Sequence, residues 1–338
     1  MLKLISLFSG CGGFDLGFKK IGFEIVFAND IEKSVKETYE RNLGHQILIE
    51  DIKKVEKKRI PNGDVLIAGI PCQPFSSAGK RKSIHDKDGN LFLEVIAVIE
   101  SQSIKPKIII FENVRGFLSS HDEDGLLLTK RFELEMSKIG YSTDFQLINA
   151  ADFAVPSNRY RVFIVCVKKN LKYDFKFPVP KLFNEKITVG DVLKKPLPKS
   201  EKQEIWKLSV ATLNSIKFIK EGGSWKDIPT EHLSNAHKKI RKDLKKYRSP
   251  NFYRRFSRDE VMGTITATSS PENSGIIHPF EDRRYSVREI ARFQSFPDNF
   301  IFLGKSIPSK YKMIGNSVPP LLAEEMAKCV KKILIWSL

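Results

Sequence analysis

No apolar run in the 338 residues approaches the roughly 18 needed to cross a bilayer, so no membrane span is expected. Cysteine is scarce. Four residues, Cys11, Cys72, Cys166 and Cys329, lie far apart with no Cys-x-x-Cys pair. That spacing argues against a zinc site and against a disulfide framework, and points to a reducing, cytoplasmic setting with no metal. Acid is short as well: 40 Asp and Glu face 57 Lys and Arg, a formal charge of +17. Such an excess favours a polyanionic partner, nucleic acid above all. Near the N-terminus the apolar stretch before Cys11 is only about five residues, short of the ~7–15 of an export signal. Repeats and low-complexity tracts are also lacking. With 41% hydrophobic residues the chain can bury a core, and its length suggests two domains or one large domain with an insertion.

The first third alternates short apolar runs with helical stretches, the pattern of β-α-β units and a parallel sheet. Leu4 to Phe8 reads as a buried strand closed by a glycine turn, and a helix follows over Asp15–Lys20. Glu24 to Ala28, Val65 to Ala68, Ile108 to Phe111 and Arg161 to Val167 read as further strands. Proline and lysine then rise, from about Lys172 to Asp282. Within that stretch His237 to Arg258 holds ten Lys and Arg against one acid, Asp243, with aromatics interleaved. Periodic apolar patterning returns at Ser286 to Phe296, and Leu321 to Trp336 reads as an amphipathic final helix.

The turn Phe8-Ser9-Gly10-Cys11-Gly12-Gly13 lets a ligand approach the backbone at a helix N-terminus. It does not match the dinucleotide fingerprint, because Asp15 stands where the third glycine belongs. Nor is it a phosphate-binding P-loop, since Phe18-Lys19 follows Gly17. Asp30, about 20 residues on at the end of the second strand, is placed to meet ribose hydroxyls. An adenosine-containing cofactor without a pyrophosphate fits these features best, with Asp51 and Ile52 placed to meet the adenine edge.

Cys72 stands in Pro71-Cys72-Gln73-Pro74, a rigid strand-to-loop junction, whereas Cys166 and Cys329 lie inside apolar runs and read as core. The next strand ends in Glu112-Asn113-Val114. Residues just past strand carboxyl ends line the crevice of such sheets, so Cys72 and Glu112 are expected to face one pocket.

Taken in order, Phe8 to Gly13, Pro71-Cys72-Gln73, Glu112-Asn113-Val114 and Arg159-Tyr160-Arg161 resemble the cytosine-5 DNA methyltransferases, of the bacterial restriction–modification type. Arg288 to Pro297 is similar to that family's ninth motif and Gly315-Asn316-Ser317-Val318-Pro319 to its tenth. The resemblance spans Leu4 to about Pro320. It implies a Rossmann-like α/β domain that depends on S-adenosylmethionine, over 1–171. It also implies a smaller target-recognition domain over 172–285, and a return to the catalytic domain over 286–338.

The resemblance further implies individual roles. Cys72 matches the nucleophile that attacks carbon 6 of a cytosine flipped out of duplex DNA. Glu112 matches the acid at ring nitrogen 3, Arg161 the contact to the exocyclic oxygen, and Arg159 a supporting or phosphate contact. Phe8, Gly10, Cys11, Gly12, Gly13, Asp30, Ile31, Asp51, Ile52, Pro71, Asn316 and Ser317 match cofactor-binding positions, the product being S-adenosylhomocysteine. Gln73, Ser76, Lys80, Arg81 and Lys82 match a loop that closes over DNA. Arg254, Arg255 and Thr264 are the expected contacts from the recognition region. Ser157 stands where the family commonly has Gln, which puts a supporting hydrogen bond there in question. A cognate restriction endonuclease and a monomeric state are implied by the same analogy. The alternative is a tRNA cytosine-5 methyltransferase of the same family.

Overall fold

In the computed structural model the described residues are 1–71, 90–122, 124–172, 174–181, 185–199, 204–243, 252–268 and 275–336. By their contacts they form two units. The first comprises Met1–Phe153, Tyr160–Lys181 and Ser317–Leu338, and the second Ala154–Arg159 and Leu182–Asn316. The segment 286–316, which the sequence reading grouped with the catalytic part, therefore falls in the second unit, while the chain from Ser317 onward falls in the first.

The first unit is built on seven strands: β1 (Leu2–Leu7), β2 (Phe23–Asp30), β3 (Leu48–Ile49), β4 (Val65–Ala68), β5 (Ile108–Val114), β6 (Tyr141–Asn149) and β7 (Tyr160–Lys168). Their order is β3-β2-β1-β4-β5-β7-β6. The first five strands pair parallel, and β7 runs antiparallel to both β5 and β6. The near-continuous apolar runs of β1, β4 and β5 follow from burial on both faces, the usual condition of a parallel sheet. Strand β6 was not foreseen, because its period-two pattern, with Ser142, Asp144 and Gln146 exposed, leaves no continuous apolar run like those of the other strands.

Four helices pack on this sheet: α1 (Gly13–Lys20), α2 (Lys36–Leu43), α3 (Asn90–Ser101) and α4 (Leu128–Lys138). On one face Phe92, Val95 and Val98 of α3 and Phe132 and Met136 of α4 join Leu66, Ile109, Phe111 and Ile164 in a single core. Phe92 and Phe132 stack with ring centroids 3.8 Å apart. The opposite face receives α1, whose Phe14 meets Phe163 of β7 edge to face at 6.1 Å.

The second unit contributes α5 (Val189–Leu193), α6 (Val210–Ile216), α7 (Asn235–Lys242), α8 (Val287–Phe293) and α9 (Ile307–Asn316), and the chain ends in α10 (Pro320–Trp336) of the first unit. The start of α8 was legible, since Ser286 and Glu289 form a reciprocal capping box. A separate core gathers Ile216, Ile219, Trp225, Ile228, Leu233, Tyr253 and Ile277.

The helix carrying the glycine turn is held by α10. A β-carbon at Gly17 would lie 2.5 Å from both the Ala323 β-carbon and the Glu324 backbone nitrogen. Ala323 and Ala327 are fully buried, so small residues on both helices allow this approach. Gly17→Ala is expected to lower stability by about 1–3 kcal/mol through overpacking, despite alanine's better helix propensity. A urea titration measures it, and an unchanged midpoint would show that the two helices separate freely.

Candidate active site

The glycine turn leaves β1 through Phe8, which adopts a left-handed φ of 54°, and continues through Gly10 and Gly12 at φ 55° and 89°. At Gly12 the conformation and the space both require glycine, because an added β-carbon would meet Leu43 Cδ2 at 2.8 Å and the Tyr39 ring at 3.0 Å. Gly10 by contrast faces open space, with nothing within 4 Å of an added β-carbon. Asp30 ties the turn to β2: Gly10 N–H donates to its Oδ2 at 2.7 Å and Glu32 N–H to its Oδ1 at 2.8 Å. Burial raises the Asp30 carboxyl above its ordinary pKa, and these two backbone donors pull it back. Each oxygen keeps a further lone pair, so both can still accept from a ligand hydroxyl.

Beside this carboxylate, Ile31 is 64% exposed and Phe8 is half-buried. Exposed apolar side chains next to a carboxylate and an open glycine suit a ligand with a flat apolar base and a ribose. Asn29, which sequence reasoning passed over, sets the neighbouring segment. Its Nδ2 donates to Leu48 O at 3.0 Å and Glu50 O at 2.8 Å, fixing the approach to Asp51. Its signal was a polar residue at the buried end of a strand. Asp51 accepts from Lys53 N–H, and Ile52 has its side chain buried in the core beneath the sheet, so only its backbone is left for the expected contact with adenine.

Cys11 and Ser317 are also buried. Burial pushes the Cys11 thiol up to about 12, and a hydrogen bond with Ser317 only partly opposes it. Cys11 is therefore a packing residue of the turn. Pro71 is exposed, as is Asn316, the last residue of α9 in the second unit. Cys72, Gln73, Ser76, Lys80, Arg81 and Lys82 lie outside the described residues.

Glu112 lies near the end of the buried run of β5, just before Asn113, and is 6% exposed. It faces Phe163 across the antiparallel pair, so Arg161, two residues along β7, is its diagonal neighbour on the same face. The Arg161 Nε lies 2.8 Å from Glu112 Oε1, a close ion pair whose N–H is not aligned as a hydrogen bond. Arg161 also donates to Tyr160 O at 2.8 Å. Two strands of opposite direction thus bring together an acid and a base that lie 49 positions apart in the chain, at the carboxyl end of β5.

In the second unit three consecutive residues grip three others. Ser157 Oγ donates to Gly263 O at 3.0 Å, Thr264 Oγ1 donates to Asn158 O at 2.8 Å, and Arg159 donates to Ile265 O at 3.1 Å. Serine at 157 thus supplies a hydrogen bond of its own where the family has glutamine. Arg159 is 1% exposed and holds the threonine turn from within, which fits the supporting one of its two expected roles rather than the phosphate contact. Thr264 gives its one hydroxyl proton to Asn158, leaving none for a phosphate.

Arg255 is likewise corrected. It is 3% exposed, donates to His278 O, Glu281 O and Ile216 O, and pairs with Asp282. Arg254 pairs with Glu260 at 2.5 Å and lies 4.9 Å over the Phe256 ring. The paired arginines were read as free cations because sequence does not show which carbonyls surround them. Among the described residues no cluster of His, Cys, Asp or Glu could hold a metal ion, and no helix is long and apolar enough to cross a membrane.

Comparison with known proteins agrees with this arrangement. Residues 2–332 match the family model for C-5 cytosine-specific DNA methylase. The chain is 33% identical over 341 residues to the Type II methyltransferase M.NgoFVII of Neisseria gonorrhoeae, covering 98% of this chain and 87% of that one. It is 34% identical over 347 residues to the Type II methyltransferase M.FnuDI of Fusobacterium nucleatum, covering 98% and 95%. Among solved structures it resembles a candidate DNA modification methyltransferase encoded within an Escherichia coli prophage. That likeness has a TM-score of 0.70 and 25% identity, over 99% of this chain and 100% of that one. The chain belongs to the C-5 cytosine-specific DNA methylase family and is an S-adenosylmethionine-dependent DNA (cytosine-5) methyltransferase.

Proposed function

We propose that this methyltransferase modifies one short recognition sequence in duplex DNA, with Cys72 as nucleophile, Glu112 as acid and Arg161 as the group that orients both Glu112 and the target base. The ion pair of Glu112 with Arg161 at the carboxyl end of β5 carries the reading. Carbon 6 of cytosine is hidden in the base stack, so the target nucleotide is flipped into the pocket before chemistry begins. The Cys72 thiolate attacks carbon 6, forming a carbon–sulfur bond and pushing electrons into the ring. Glu112 holds the proton at nitrogen 3 that neutralises the charge arriving there, and Arg161 donates to the exocyclic oxygen. Carbon 5 becomes nucleophilic as a result. Phe8, Gly10, Asp30 and Ile31 would hold S-adenosylmethionine, which when bound would supply the electrophilic methyl group, its sulfur–methyl bond breaking to leave S-adenosylhomocysteine. Water takes the carbon 5 proton, the carbon–sulfur bond at carbon 6 breaks, and the nitrogen 3 proton returns to Glu112, regenerating the Cys72 thiolate.

The basic second unit is the source of specificity in this reading. With Arg255 and Thr264 committed internally, its contacts to DNA come from residues other than those two. The Type II relatives support modification within a restriction–modification system, with a cognate endonuclease as a neighbour, and give the tRNA alternative less support.

Bisulfite sequencing of DNA from a methylation-free host expressing the chain tests the proposal. Protected cytosines confined to one short repeated sequence are the expected outcome. Uniform conversion, with expression confirmed, would overturn duplex DNA as the substrate of the isolated chain.

A further inference from the structure

Asp15 was noticed in the sequence only as the residue that breaks the dinucleotide fingerprint. In the structure it lies in the first turn of α1, with no exposed surface. The hydroxyl of Tyr39, on α2 and equally buried, donates to its Oδ1 at 2.6 Å. The same tyrosine ring is the floor of the glycine turn. An added β-carbon at Gly12 would meet its Cδ2 at 3.0 Å and its Cε2 at 3.1 Å. One side chain thus supports the turn with its ring and anchors the helix behind the turn with its hydroxyl. A second polar contact continues the arrangement, for Ser6 Oγ and Ser9 Oγ lie 2.8 Å apart and Ser9 Oγ donates to Asn29 O.

We propose that Asp15 and Tyr39 are a positioning pair for the cofactor turn, setting the affinity for S-adenosylmethionine through the placement of Gly12 without touching the ligand. The inference rests on the assignment of this turn to the cofactor.

Packing alone does not account for an acid here. Buried ionisable pairs are commonly replaced by apolar residues with no loss of stability. Burial raises the Asp15 carboxyl to about 6, against opposing hydrogen bonds from Tyr39 and Ser6 and with Asp30 adding repulsion. A carboxyl raised in the folded state binds its proton more tightly there than in the unfolded chain. Above pH 6 the ionised group therefore weighs against folding. Cys11 faces the same acid and stays protonated. A charged group kept under a ligand turn at a cost to stability has the mark of a functional residue.

The test uses the full chain as native protein, Tyr39→Phe and Asp15→Leu. Calorimetric titration with S-adenosylhomocysteine at pH 7.5 comes first, beside thermal melting without ligand and steady-state kinetics with saturating DNA. Both variants are expected to bind about tenfold more weakly and to show a matching rise in KM for S-adenosylmethionine. Their kcat stays within about twofold, because the reacting groups are untouched. Should Tyr39→Phe fail to fold, Asp15→Leu, which is close in size and removes the acceptor, carries the test alone. Variant binding within about twofold of native would overturn the pair, as would a fall in kcat at constant KM. Failure of the native protein to bind S-adenosylhomocysteine would instead overturn the assignment of the turn, and the inference with it.

Discussion

Cys72→Ala is expected to reduce methyl transfer by at least about 10³-fold, to the limit of detection, while DNA affinity stays within about threefold. The size follows from the chemistry. Without a carbon–sulfur bond at carbon 6, carbon 5 of cytosine is not nucleophilic enough to accept a methyl group. No other thiol can stand in. Burial pushes Cys11 and Cys166 up to about 12, so both remain protonated, and burial, with Glu325 nearby, raises Cys329 as well. DNA affinity is retained because it depends mainly on cations meeting phosphates, and this change removes none. Transfer of a radiolabelled methyl group, measured beside a gel-shift titration, checks both halves. Measurable turnover by the variant would remove Cys72 from the nucleophile's role.

Glu112→Gln is expected to lower the transfer rate by about 10²–10⁴-fold, the usual range for a positioned general acid. The replacement keeps the side-chain shape but has no proton to give nitrogen 3. Its affinity for S-adenosylhomocysteine should change by less than about twofold, because the glycine turn and Asp30 lie on β1 and β2, away from β5. Stability should fall modestly, since the change leaves the Arg161 charge without its carboxylate partner at 2.8 Å. Single-turnover kinetics with pre-bound DNA separate the chemical step from binding. An unchanged rate would leave Glu112 with a structural role only.

The sequence made the first half of the sheet legible because buried parallel strands read as uninterrupted apolar runs, as in Val65–Ala68 and Ile108–Ile110. It was weaker at β6 and β7. Strand β7 was found as an apolar run, but its direction is set by its partners and leaves no local trace. That direction matters, because only the antiparallel pairing of β7 with β5 puts Arg161 diagonal to Glu112.

By itself the sequence determined the family, the order of the motifs and the glycine turn, and it named the side chains proposed to react. These rest on residue types at fixed spacings, which need no partner to be recognised. The tertiary structure decided which charged residues are available. Arg159 beside the catalytic motif and Arg255 in the basic stretch both look available to a phosphate, yet both are buried and hold backbone carbonyls. Asp15 looked like a missing glycine and proved to be a buried acid held by a tyrosine 24 residues away. A buried polar group must find its partner wherever the fold brings one, and sequence distance does not encode that meeting.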